Sequence, residues 1–215
     1  MRQKLLAGCA VLAAVTLASA SQAGAENTHF WLDGAGFSGS GFFKTAPDHI
    51  AGDPAGANLI KAISGTISAQ GFGLDNEPIN GLIKTSPNPG NAPFATSLSY
   101  FPASGLPGED NGALSYSNLL YPGGAPDTCF DGITGGYLDV FGVLFTLSNG
   151  DTIDLWSNGG SPNNGPIYGL ALVDTTDTAV AYIGGGIMMQ VPEPGSLTLL
   201  GAGLLGALYW RRSRA

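Results

Sequence analysis

Gly136-Tyr-Leu-Asp-Val-Phe-Gly-Val-Leu-Phe-Thr-Leu-Ser148, followed by Asn149-Gly150 and then Asp151-Thr-Ile-Asp-Leu-Trp-Ser157, is the stretch on which the fold turns. Both arms are rich in β-branched and aromatic residues, which suit a pleated, half-buried surface. Asn-Gly accepts positive φ at both central positions, as a two-residue type I′ hairpin turn requires. That turn predicts a register with Thr146 opposite Ile153, Leu144 opposite Leu155 and Val143 opposite Trp156. The first arm is apolar on both faces, so it is expected to run centrally, covered on both sides.

Outward from the hairpin the same texture repeats. Strands are predicted at Phe37–Lys44, Leu59–Ala69, Ile79–Thr85, Phe94–Phe101, Leu114–Tyr121, Ile167–Val173 and Ala179–Met189, which with the hairpin makes about nine. Clusters of Gly, Pro, Asn and Asp separate them, including the long polar loops Pro87–Pro93 and Pro102–Gly112. No run of apolar positions at helical spacing occurs between residues 26 and 190. The expectation is an all-β fold, a single-domain β-sandwich or jelly-roll. Ile63-Ser-Gly-Thr-Ile67 and Ile79-Asn-Gly-Leu-Ile83 share an Ile-x-Gly-x-Ile pattern. It puts both isoleucines and the glycine on one face, with the glycine marking a close backbone approach or a bulge.

Charge narrows the function. Residues 26–190 hold 15 of the 16 acids against three lysines, Lys44, Lys61 and Lys84, a net of −12. A nucleic-acid binder needs clustered Lys and Arg to displace counterions, so that class is excluded. With only two cysteines, Cys9 in the leader and Cys129, no intrachain disulfide framework is expected.

The remaining cations sit at the ends. Arg2 and Lys4 precede an apolar run, Leu5–Ala18, and then the small and polar residues Ser19–Gly24. That order predicts a secretory signal peptide over residues 1–25, with cleavage after Ala23-x-Ala25, or alternatively after Ala18-x-Ala20. Leu6-Ala7-Gly8-Cys9 looks like a lipobox, but most of the apolar run lies beyond Cys9, so lipidation there is not expected.

At the other end Pro192-Glu193-Pro194 leads into an apolar stretch from Leu197 to Trp210, then Arg211-Arg212-Ser213-Arg214. The prolines lack N–H donors and hold the chain extended around Glu193, an exposed strip for a processing enzyme. Fourteen residues, 197–210, would make a helix of roughly 21 Å, short of a ~30 Å hydrocarbon core unless Ser196 and snorkelling arginines extend it. Arg211 and Arg212 are expected to stay cytoplasmic, leaving the domain outside.

Motif, span, basic tail and terminal position together resemble the PEP-CTERM sorting signal of Gram-negative bacteria, over Val191–Ala215. The resemblance implies that Pro192, Glu193 and Pro194 are a processing site for exosortase, a membrane-embedded transpeptidase-like enzyme. It also implies a transient membrane anchor at Leu197–Trp210 and later residence at the cell surface or in a biofilm or exopolysaccharide matrix. Phe37-Ser-Gly-Ser-Gly-Phe42, Leu119-Leu-Tyr-Pro-Gly-Gly124 and Phe145-Thr-Leu-Ser-Asn-Gly-Asp151 look like ectodomains that carry this tail.

Catalytic patterns are sparse. His29 and His49 are expected as solvated loop residues, and no Gly-x-Ser-x-Gly elbow accompanies them. Zinc would need several His or Cys at recognisable spacing. Asp127 with Asp131, Asp151 with Asp154, and Asp174 with Asp177 read as turn and cap residues; Ca2+ is the single cation such loops could take. No other cofactor is implied. Cys129 reads as a buried thiol between acids. Thr175, Thr176 and Thr178 make a short patch, not the flat array that ice binding requires. Trp31, Trp156 and Tyr168 are candidate sugar contacts, with Asn158, Asn163 and Asn164 as hydroxyl partners. The expectation is a non-enzymatic structural protein, with a carbohydrate-binding module as the alternative and a secreted polysaccharide-acting enzyme as the third reading.

Overall fold

The computed structural model of the chain describes residues 26–48, 50–85, 98–107, 112–127, 133–161 and 165–191. The expected signal peptide, the Pro87–Pro93 loop, His49, Cys129, Asp131, Asn163, Asn164 and the tail from Pro192 onward lie outside these residues.

Among the described residues eleven strands account for the fold: β1 Glu26–Gly34, β2 Phe37–Pro47, β3 Asn58–Ala69, β4 Leu74–Leu82, β5 Ser99–Pro102, β6 Ala113–Tyr116, β7 Leu119–Leu120, β8 Val143–Leu147, β9 Thr152–Ser161, β10 Gly165–Val173 and β11 Ala179–Gln190. Eight of them form one antiparallel meander, β1-β2-β3-β4-β8-β9-β10-β11, which closes when β11 pairs with β1. The architecture is therefore a closed up-and-down barrel, not the sandwich or jelly-roll expected.

The physical reason is β1, a strand beyond those the sequence pattern predicts. It pairs with β2 from Glu26↔Thr45 to Gly34↔Phe37 and with β11 at Trp31↔Gln190, Leu32↔Met189 and Asp33↔Met188. One strand thus removes both free edges, and closure is how an antiparallel sheet abolishes them. Its turn is Ala35-Gly36, with φ of 50° and 83°. The positive φ pair expected at Asn149-Gly150 occurs here instead.

The β8–β9 hairpin differs from its expected register by one residue. Val143 faces Leu155, Leu144 faces Asp154, Phe145 faces Ile153 and Thr146 faces Thr152. Gly150 N–H donates to the Leu147 carbonyl and Leu147 N–H to the Asp151 carbonyl, enclosing a three-residue loop. Gly150 alone in that loop takes positive φ, 96°, the arrangement of a turn followed by a bulge. Asn149 Oδ1 accepts from Asp151 N–H, which fixes the extra residue. A one-residue slip exchanges the faces of a strand. In the observed register Val143, Phe145, Leu147, Ile153 and Leu155 all enter the interior.

That interior is solid. Phe30, Leu32, Phe43, Ile60, Ile63, Ile67, Leu74, Phe145, Tyr168, Leu170 and Ile187 pack in it with 5% or less of their surface exposed. Phe30 and Phe43 stack with ring centroids 4.5 Å apart. An eight-stranded barrel is about wide enough for side chains to fill it, and each such side chain contributes roughly 1.5–3 kcal/mol on burial.

The segment between β4 and β8 folds back over the wall. Hairpin β5–β6 lays Ala103, Leu106, Leu114 and Tyr116 on Leu144, Trp156, Ala171 and Val173, the outward residues of β8, β9 and β10. This second layer explains why β8 is apolar on both faces, as expected of a central strand. β7 adds to the edge of β3 at Asn58↔Leu120 and Leu59↔Leu119. Among the described residues no helix is long and apolar enough to cross a membrane.

Candidate functional site on the outer wall

Because side chains alternate in a strand, the residues of β1 that flank Leu32 point outward. Trp31 and Asp33 do so next to Ser38 and Ser40 of β2, Thr66 and Ser68 of β3, Asn76 of β4, and Met188 and Gln190 of β11. These residues line a hollow of about 580 Å3. Strand register arranges them in two rows. One runs Gln190, Trp31, Ser40, Thr66; the other runs Met188, Asp33, Ser38, Ser68. Asn76 completes the second row, donating its N–H to Ser68 Oγ at 2.9 Å.

Trp31 is 41% exposed and Met188 53%. The indole is held from one side by His29, whose ring meets it edge-on with centroids 3.8 Å apart. His29 in turn stacks on Phe42 at 4.6 Å. His29 is therefore a strand residue in an aromatic strip, not the loop residue expected. Among the described residues the hollow offers one apolar face, several hydroxyl and amide groups that both donate and accept, one carboxylate and no cation.

The other two candidate sugar contacts are placed differently. Tyr168 has no exposed surface; it points into the barrel and its hydroxyl accepts from Tyr137 N–H at 2.8 Å. Trp156 is 8% exposed, lies on Gly169 beneath the β5–β6 layer, and donates Nε1–H to Asn158 Oδ1 at 3.0 Å. Both are corrected to packing residues. The cause is β9–β10 pairing, which sets Trp156 opposite Gly169 on the outer wall, under the layer that covers it.

The acidic pairs separate in the same way. Asp174 caps the β10–β11 turn, accepting from Thr176 N–H, Thr178 N–H and the Thr176 hydroxyl. Those bonds hold its carboxyl below the usual range. Asp151 serves the β8–β9 turn by accepting from Asn149 Nδ2. Among the described residues no three His, Cys, Asp or Glu side chains come together to hold a metal.

Two carboxylates are buried, Asp139 and Asp154; Asp154, expected as a turn or cap residue beside Asp151, lies instead inside β9 and is 2% exposed. Asp139 accepts from the Ser117 hydroxyl, the Tyr121 hydroxyl, Phe141 N–H and Gly142 N–H, tying the β6–β7 connection to the approach to β8. Burial raises its pKa to about 6, against the pull of those donors. Asp154 lies between Leu144 and Ala171 on the covered wall, and its Oδ1 has no hydrogen-bond partner among the described residues. Burial, and then the charge of Asp139, push its carboxyl well above the ordinary range. The signal available in the sequence was an acid inside an otherwise apolar strand, Ile153-Asp154-Leu155.

The wall at Trp31 also borders the end of the described chain, because Gln190 is the last residue of β11. Residues 190–214 match the PEP-CTERM protein-sorting motif. The chain carries a PEP-CTERM sorting signal. Its motif supports an exported protein sorted by exosortase, a membrane enzyme. The motif begins where the last barrel strand ends, so tail and barrel adjoin in sequence. Comparison with curated proteins and with solved structures finds no match.

Proposed function

We propose that the barrel is cargo: a non-catalytic structural or adhesive protein of the cell surface or the extracellular polysaccharide matrix. The supporting observation is the sorting motif at residues 190–214, continuous with the closing strand of a barrel whose lumen is filled. A filled barrel offers partners its outer wall and its ends. In this reading the signal peptide takes the chain across the inner membrane. Leu197–Trp210 then holds it there, with Arg211 and Arg212 cytoplasmic, until exosortase acts at Pro192-Glu193-Pro194.

Replacing Pro192→Ala and Glu193→Ala together removes both the stiff backbone and the charge of that strip. The expected result is membrane-retained protein of undiminished C-terminal mass, while the parent is released without its arginine cluster. Fractionation and intact-mass measurement read this out, and release of the double variant at the parent's mass would refute the reading.

A second reading, a carbohydrate-binding module, is favoured by one feature: the exposed indole of Trp31 set in rows of hydroxyl and amide side chains.

A further inference from the structure

We propose that the hollow beside Trp31 is a binding site for a neutral polysaccharide, with one sugar ring lying on the indole and the chain crossing the strands along the two polar rows. The proposal rests on the carbohydrate-binding reading and gives it a place, a polarity and a ligand class.

Extent comes first. The rows cross from β11 through β1, β2 and β3 to β4, four strand spacings or about 19 Å in the hydrogen-bonding direction. That is the reach of an oligosaccharide, not of a single ring. The two rows are two residues apart along each strand, roughly 7 Å, so a chain resting on one has the other as its flank.

The chemistry of the lining selects the ligand. Sugars present an apolar ring face bordered by hydroxyl groups that donate and accept. Trp31 and Met188 supply apolar surface. Ser38, Ser40 and Thr66 supply hydroxyls that make no side-chain hydrogen bond with other described residues, while Asn76 and Gln190 supply amides. Hydroxyls and amides both donate and accept, whereas a cation-lined groove would only donate.

Charge decides between neutral and anionic polymers. Asp33 is the one charged group among the described lining residues, and residues 26–190 carry a net of −12. An anionic polysaccharide or a lipid phosphate would approach a surface of like sign. A peptide joining by strand addition needs an open sheet edge, and barrel closure leaves this wall none. The aromatic strip also prepares the site: His29 and Phe42 buttress the indole, so little side-chain freedom remains to be lost when a ring covers it.

The test uses the full chain purified in detergent, titrated with cellohexaose, maltohexaose and laminarihexaose, and with polygalacturonate as the anionic polymer. Binding is read by calorimetry and by indole fluorescence. At least one neutral hexasaccharide is expected to bind and to shift emission to the blue as Trp31 is covered. Trp31→Ala should weaken that binding by about tenfold or more and abolish the shift; Trp31→Phe, which keeps an aromatic face, should lose only about threefold. The paired variants Ser40→Glu and Thr66→Glu leave the indole in place and should also lose binding, by crowding and charging one row. Absence of binding to every neutral probe would defeat the carbohydrate reading itself. Neutral binding that survives Trp31→Ala and both Glu variants would leave that reading standing and overturn this site. Preference for polygalacturonate would overturn the assigned polarity.

Discussion

Gly65→Ala is expected to cost the barrel about 4 kcal/mol, a large part of the 5–15 kcal/mol by which domains of this kind are stable. Gly65 sits at φ +142°, in a region that side chains rarely enter. It pairs with Gly41 across β2 and β3. A Cβ added at Gly65 would run into the Ser40 carbonyl oxygen and lie 2.6 Å from Gly41 Cα. The obstacle is backbone on a paired strand, so no side-chain rotation relieves it. The space is also claimed from the other side, since a Cβ on Gly41 would meet the Ser64 carbonyl and lie 2.9 Å from Phe30 Cζ. The two glycines let β2 and β3 coil tightly around the Phe30–Phe43 stack, which is how a small barrel turns its corners. Urea unfolding should show a lower midpoint with an unchanged slope. Gly81→Ala is the control, because a Cβ there meets nothing within 4 Å, and its expected change is within about 0.5 kcal/mol. Equal losses in the two variants, or a Gly65→Ala midpoint matching the parent, would refute this account.

Gly65 and Gly81 show how far the sequence could be read. Ile63-Ser-Gly-Thr-Ile67 and Ile79-Asn-Gly-Leu-Ile83 look alike, and the first behaves as expected, with Ile63 and Ile67 both inside the barrel. In the second, a register shift between Ile79 and Gly81 breaks the alternation. Ile79 stays in the lumen while Ile83 packs under the β5–β6 layer. A bulge is a property of a strand pair, and a single strand's sequence does not contain its partner. The one-residue difference at Asn149-Gly150 has the same origin, since two- and three-residue loops share that dipeptide. All-β class, most strand positions and the sorting tail were legible because they rest on local composition and order. Barrel closure was not, because it depends on β1, whose His29-Phe-Trp-Leu-Asp33 run is short and opens with the polar Glu26-Asn-Thr28. Missing β1 also separated Trp31 from its neighbours. Only with β1 between β2 and β11 does the indole come beside Ser40 and Gln190.

Acidification from pH 7 to about 4 should stabilise this domain, opposite to the usual behaviour of carboxylate-rich proteins. The two buried acids determine the sign. Asp139 titrates near 6 in the folded barrel against 3.8 when unfolded, so the folded state binds its proton more tightly. Between those values the native chain carries more protons than the unfolded one, and stability rises as pH falls. At about 1.4 kcal/mol per unit, Asp139 contributes a gain of about 3 kcal/mol over that window. Asp154 is shifted in the same direction, first by burial and then by the charge of Asp139, so it adds to the rise above the ordinary carboxylate range. The exposed cap Asp174 acts oppositely, since its lowered pKa sustains stability until pH drops below its ordinary range. The optimum is therefore expected near pH 4, with loss below it. Asp154→Asn discriminates this mechanism from general relief of the domain's negative charge. The amide cannot ionise, and it keeps the shape that fits between Leu144 and Ala171. It should raise the midpoint of thermal unfolding at pH 7 to 8, leave it nearly unchanged at pH 4, and flatten the slope between. Charge relief alone would respond strongly to salt and would treat Asp154→Asn like the loss of any surface acid, such as Asp75→Asn. A parent midpoint that falls steadily from pH 7 to 4.5 would show that the buried carboxyls do not take up protons on folding.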